Sequence, residues 1–125
     1  MIRQVINVNN YWKVIVYYDI DYNLFRYVAN DLSTSPLERI NAIRSALETG
    51  AAKAFTLSTF TKRTSVVGFN KHKNKYDYIN SVVHEAEHVK QDMLRYYRVK
   101  DKGEPPAYTI GFLVQEMMKV LQLII

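Results

Sequence analysis

The chain has 125 residues, of which 48% are hydrophobic and 23% charged, and a formal net charge of +5. A chain of this size and balance builds one domain around one compact core, which excludes a disordered or multi-domain protein. It contains no cysteine, which excludes a disulfide frame, a thiolate nucleophile and Cys-ligated zinc, and leaves histidine and carboxylate as metal-binding side chains.

The opening segment, MIRQVINVNN, lacks the apolar core of a signal peptide. The most apolar stretch, VLQLII at the C-terminus, is too short to span a bilayer. The protein is therefore expected in the cytoplasm, or released passively from the cell.

Residues 12–19, WKVIVYYD, are β-branched and aromatic with partial alternation and read as a strand. QVINV ahead of them reads as a hairpin partner across Asn9-Asn10, a pair that tolerates positive φ. LFRYV, within residues 21–33, fits a short strand or a helical turn equally well. A helix start follows: Ser35 as cap, Pro36 in the first turn and Glu38 three residues after Ser35, as in a capping box. Leu37, Ile40, Ile43 and Leu47 form its apolar stripe, and Gly50 ends it. AFTLSTF (54–60) and TSVVGF (64–69) read as an antiparallel pair joined by a short turn.

Residues 76–97 read as a second helix, with Ile79, Val82, Val83, Ala86, Val89, Met93 and Tyr97 at helical spacing. VKDKGE breaks it, and a last helix begins at Pro105-Pro106 and runs to the C-terminus. Strands, a helix, a strand pair and two helices make the fold class α+β. The basic residues, Arg39, Arg44, Lys62, Arg63, Arg95 and Arg98 among them, are scattered. The dense run KHKNK at 71–75 reads as a solvated loop, because a nucleic-acid surface calls for a broader basic stripe. The apolar C-terminal helix is a candidate contact for a homodimer.

The segment HEAEH places His84 and His88 four residues apart, with Glu85 directly after the first histidine. On a helix that spacing stacks both rings on one face, as in the H-E-x-x-H motif. There Glu85 is a base for a water activated by the ion. The apolar stripe puts both histidines on the flank of the buried side. Taken alone, the motif weighs evenly between a zinc site and two solvated histidines.

A catalytic zinc site takes three protein ligands, and the candidates for the third are His72, Asp92, Glu104 and Glu116. The longer motif with a downstream glycine and third histidine fails, because Gln91 and Leu94 stand at those places. Asp92, a turn beyond His88, is better placed to orient that ring than to reach the ion. Glu104 is the strongest candidate: it opens the last helix, which must fold back on the second after a short loop. Glu104, Tyr108, Gly111 and Gln115 share a face, and Ala107 and Gly111 would permit close approach of the helices. An equal reading makes Glu104 a carboxylate at the helix N-terminus and nothing more.

HEAEH followed by GEPPAYTIGF resembles the zincin metallopeptidases of the gluzincin type, in which a downstream glutamate is the third ligand. The pieces SVVGF (65–69), YINSVVHEAEH (78–88) and EPPAYTIGF (104–112) also resemble small proteins of gut Bacteroidales and their phages. The likeness covers residues 54–116, with Pro106 and Phe112 as its departures from that pattern. It implies a minimal zincin-like domain over 1–125: a small antiparallel or mixed sheet packed against a helix from the N-terminal half, the HExxH helix and a C-terminal helix. It implies a zinc metallopeptidase with Zn2+ held by His84, His88 and Glu104, Glu85 as general base and Tyr108 as a hydrogen-bond donor in the site. A peptide or protein is then the substrate, with residues 64–69 as the sheet edge that receives it. The alternatives are a zincin-like binding protein with a structural metal or none, and a zinc hydrolase acting on a non-peptide amide.

Overall fold

The computed structural model describes all residues, Met1–Ile125. The elements in chain order are β1 (Ile2–Val8), β2 (Trp12–Tyr18), α1 (Phe25–Asp31), α2 (Leu37–Glu48), β3 (Ala54–Thr59), β4 (Thr64–Phe69), α3 (Lys75–Tyr97) and α4 (Glu104–Leu121). The class is α+β. β1 and β2 form the expected hairpin, closed by Asn9 and Asn10 at φ 50° and 63°. Their short amide side chains tolerate that left-handed backbone. The ambiguous segment after β2 becomes a 3-10 turn, Tyr22–Leu24, running into α1.

The sheet order is β1-β2-β4-β3. β1 and β2 are antiparallel, β2 and β4 parallel, and β4 and β3 antiparallel. β4 is therefore an inner strand. The expectation that residues 64–69 form the sheet edge is corrected: the edge is β3, because β4 carries the apolar run that is buried on both faces. Its Val67 and Phe69 belong to one core cluster and Val66 to the other.

Both sheet faces are covered. Val14, Val16, Tyr18, Val67 and Phe69 pack against α3 and α4, joining Val82, Ala86, Val89, Met93, Leu113, Met117 and Leu121. Ile15, Tyr17 and Val66 pack on the other side with Phe25, Val28, Leu32, Ile40 and Leu47 of the α1–α2 segment. Burial on two faces explains why β2 reads as a nearly continuous apolar run with only partial alternation. Gly68 sits where Phe55 crosses the sheet: an added Cβ would lie 2.3 Å from a Phe55 ring carbon.

Several local expectations change. Pro36, not Ser35, is the residue before α2, and no side chain caps that helix. The extended ψ of Pro36, 141°, starts the helix one residue later and carries Ser35 out of reach. Leu37 is 70% exposed, because the first turn overhangs the core that Ile40 and Leu47 enter. In α3, Ile79 and Val83 are exposed, and the buried face instead includes Tyr78, Ser81, Glu85 and Lys90. Of these, Ser81, Glu85 and Lys90 have polar partners, Lys90 meeting Glu87 at 2.7 Å and Asp101 at 2.8 Å, whereas the Tyr78 hydroxyl has none. No helix is long and apolar enough to cross a membrane.

Candidate metal centre

α3 is a helix of 23 residues whose start is capped by Asn74, which accepts from the backbone N–H of Tyr76 and of Asp77, each at 3.0 Å. It lies over the β4–β3 side of the sheet, while α4 lies over β1: Gln4 of β1 donates to the Glu116 carbonyl at 2.7 Å, and Tyr18 to that of Met117 at 3.2 Å. α3 thus has three sides with different neighbours. Ala86, Met93 and Lys90 turn to α4 and the loop before it. Val82 and Val89 turn to the sheet. Glu85 and Asp92, seven residues apart on one stripe, reach the edge strand.

At that edge, Thr56 donates to Glu85 Oε1 at 3.0 Å, and Ser58 donates to Asp92 Oδ2 at 2.6 Å. Ser58 also shares a hydrogen bond with Ser65 at 2.7 Å, and the buried Trp12 indole N–H donates to Ser65 Oγ at 2.9 Å. Asp92 is thereby anchored to the sheet and does not orient His88. Glu85 is 5% exposed. A buried carboxylate with a fixed donor on one oxygen keeps the other oxygen in a defined direction.

His84 and His88 stand beside Glu85 on the same flank, with both rings exposed. Their Nε2 atoms converge to 3.1 Å, and Glu85 Oε2 lies 3.8 Å from His84 Nε2. Ligand atoms of the three side chains all fall within 4.8 Å of one another. Two imidazole nitrogens bound to one tetrahedral zinc at ~2.0–2.1 Å sit roughly 3.3 Å apart, so the pair, which shares a hydrogen bond here, is close to ligating separation. The donor set, two imidazoles and a carboxylate, suits a divalent ion of borderline softness such as zinc. Three protein donors fit the ion when Glu85 ligates, and two remain when Glu85 serves as a base.

Glu104 does not join them. Its helix packs on the opposite side of α3, and within α4 the face shared by Glu104, Tyr108, Gly111 and Gln115 points to solvent. All four are exposed, whereas Pro106, Leu113, Met117 and Leu121 are buried. Pro105 and Thr109 line a crevice with Met93, Leu94, Tyr97 and Val99, so the start of α4 sits by the far end of α3. Both the third-ligand assignment of Glu104 and the site role of Tyr108, which is 73% exposed, are therefore corrected. Ala107 and Gly111 do not mediate the helix contact either; larger apolar side chains do. Glu116, on α4 as well, pairs with Lys119.

His72 is likewise engaged elsewhere. Its Nδ1 lies 2.6 Å from the Asn70 carbonyl and its Nε2 2.7 Å from Ser81 Oγ, and the ring stacks on Tyr78 with centroids 4.3 Å apart. The residue at the cluster that sequence reasoning missed is Thr56, the partner of Glu85. Only its even-numbered place on a strand facing α3 could have pointed to it, and that requires knowing which strand is the edge. Comparison with family models, with curated proteins and with solved structures finds no match.

Proposed function

We propose that this domain is a zinc-dependent hydrolase that cleaves peptide bonds at the His84–Glu85–His88 cluster, and that the peptide lies along the open edge of β3. One observation carries the reading: two imidazole nitrogens 3.1 Å apart, with the oriented carboxylate of Glu85 3.8 Å from one of them, on the flank of a helix that overhangs a strand with one open edge.

His84 and His88 would hold the ion, with Nε2 of each as the ligand atom; with Glu85 as the base this is one protein ligand fewer than the usual three, and water and substrate would fill the other positions. Zinc bound there supplies Lewis acidity, polarising a carbonyl oxygen and making a water molecule more acidic. Glu85 Oε2 is free to take the proton from that water and to hand it to the departing amine, while Oε1 stays fixed on Thr56.

The strand edge supports the peptide part of the reading. The Asn70 N–H donates to the Lys53 carbonyl at 3.0 Å, which makes Lys53 and Asn70 a hydrogen-bonded pair of the β3–β4 ladder. Such pairs alternate along an antiparallel ladder. Phe55, Leu57 and Thr59 therefore bond inward to β4, and Ala54, Thr56 and Ser58 turn their N–H and C=O groups outward. A peptide added as a fifth strand would run past Thr56, and so past Glu85.

A second reading has support in the tight grouping of all three side chains within 4.8 Å: Glu85 as a third ligand of a structural ion in a binding domain. Glu85→Gln separates the two. In the hydrolase it retains zinc and loses at least about 100-fold in peptide cleavage; as a ligand it loses zinc. A protein that takes up no zinc on reconstitution, or a Glu85→Gln variant that cleaves as the wild type does, overturns the proposal.

A further inference from the structure

The loop between β4 and α3 brings Lys71 and Lys73 to the side of Lys53, the residue ahead of β3. With Asn70, His72 and Asp77 they line a cleft of about 390 Å³. All three lysines are exposed, and none takes part in an ion pair. The one carboxylate in the lining, Asp77, is already met by Asn74, whose side-chain N–H donates to it at 3.4 Å. The cleft thus carries three unpaired cations against one engaged anion.

Its floor is held in place. Asn70 donates through its side chain to the carbonyls of Leu47 at 2.8 Å and Ala52 at 3.3 Å, and accepts from Tyr22. His72 is fixed between the Asn70 carbonyl and Ser81. Lysines on a rigid floor offer mobile point charges, which take a carboxylate without demanding a fixed fork geometry.

The cleft and the metal cluster flank the same strand. Lys53 precedes Thr56 by three residues, or roughly 10 Å of extended chain. Ser81, which holds His72, lies one helical turn before Glu85. We propose that the cleft is a subsite for an acidic side chain of the substrate, about three residues from the bond that is cleaved. The inference rests on the reading of the cluster as a peptide hydrolase and adds the substrate class to it. A peptide fits better than a nucleic acid, because the outward N–H and C=O groups of Ala54, Thr56 and Ser58 match a peptide backbone.

The test uses binding as well as cleavage. A short labelled peptide with glutamates on both sides of its centre is compared, by fluorescence anisotropy on the zinc-reconstituted protein, with the same peptide carrying glutamine. The acidic peptide should bind about three- to tenfold more tightly at low salt, with the difference shrinking as salt is added. Lys71→Glu/Lys73→Glu should abolish the difference, and Lys53→Glu alone should reduce it, with circular dichroism of each variant unchanged. Moving a single glutamate along the peptide should locate the preference about three residues from the cut. Lysine-dependent binding of the acidic peptide without cleavage supports the cleft as an acidic-peptide site and sinks the hydrolase reading, and with it the placement relative to a cleaved bond. Cleavage with no acidic preference leaves the hydrolase and overturns the subsite. Tighter, lysine-dependent binding of a single-stranded oligonucleotide overturns the peptide assignment.

Discussion

The Thr56 hydroxyl donates to Glu85 Oε1 at 3.0 Å, and so ties the edge strand to the carboxylate of the metal cluster. In the proposed hydrolase this makes Thr56 a positioning residue. Thr56→Val should leave zinc uptake unchanged and lower kcat about tenfold with little change in KM, as expected when an orienting partner is removed. Thr56→Ser should restore most of the rate, which a merely structural defect would not allow. A valine variant with wild-type kcat removes Thr56 from the site.

Metal affinity should separate the histidines from Glu104. His84→Ala and His88→Ala should each weaken zinc binding by more than about 100-fold, beyond what the loss of a supporting residue costs. Glu104→Ala should leave it unchanged within about twofold, since exposed substitutions away from a site are close to neutral. Chelator competition with a zinc-sensitive dye measures all three. Loss of zinc in Glu104→Ala would mean that α4 moves to the other side of α3.

Two glycines should respond in opposite directions. Gly68→Ala places a methyl group 2.3 Å from Phe55 and 2.9 Å from Ile20, and overpacking of this kind costs roughly 1–3 kcal/mol. Gly111, inside α4, has nothing within 4 Å of the same added carbon. Gly111→Ala should therefore stabilise by roughly 0.5–1 kcal/mol. Urea unfolding with unchanged m-values reads both effects.

Stability should fall at alkaline pH through Tyr17. Burial, and then the hydrogen bond to Asp31, push its hydroxyl from the ordinary 10.0 up to about 12. Burial also pushes Tyr18 upward. The folded protein keeps these protons in a range where the unfolded chain loses them. Their stabilisation is complete below pH 10.0 and is lost as pH rises through about 12 for Tyr17. Urea midpoints between about pH 9 and pH 11 should decline, less steeply in Tyr17→Phe. An identical slope in the variant excludes Tyr17 as the source.

Strand positions, the Asn9-Asn10 hairpin, the α2–β3–β4 order and the two long helices were all legible, because each rests on local periodicity and turn chemistry. The His84–Glu85–His88 cluster was legible for the same reason: four-residue spacing on a helix brings side chains together whatever surrounds them. The face shared by Glu104, Tyr108, Gly111 and Gln115 was also real as a helical stripe. What misled was its direction. That face holds glycine and polar side chains, while Pro106, Leu113, Met117 and Leu121 offer far more apolar surface, and burial follows area.

By itself, then, the amino-acid sequence determined the elements and the pair of convergent histidines, both products of contacts a few residues apart. Only the tertiary structure decided that β3 rather than β4 is the sheet edge, that α4 docks on the side of α3 away from the histidines, and that Thr56 holds Glu85. These three outcomes depend on which surfaces of separate elements meet. That choice is made by the whole core burying its apolar area at once, and no local pattern records it.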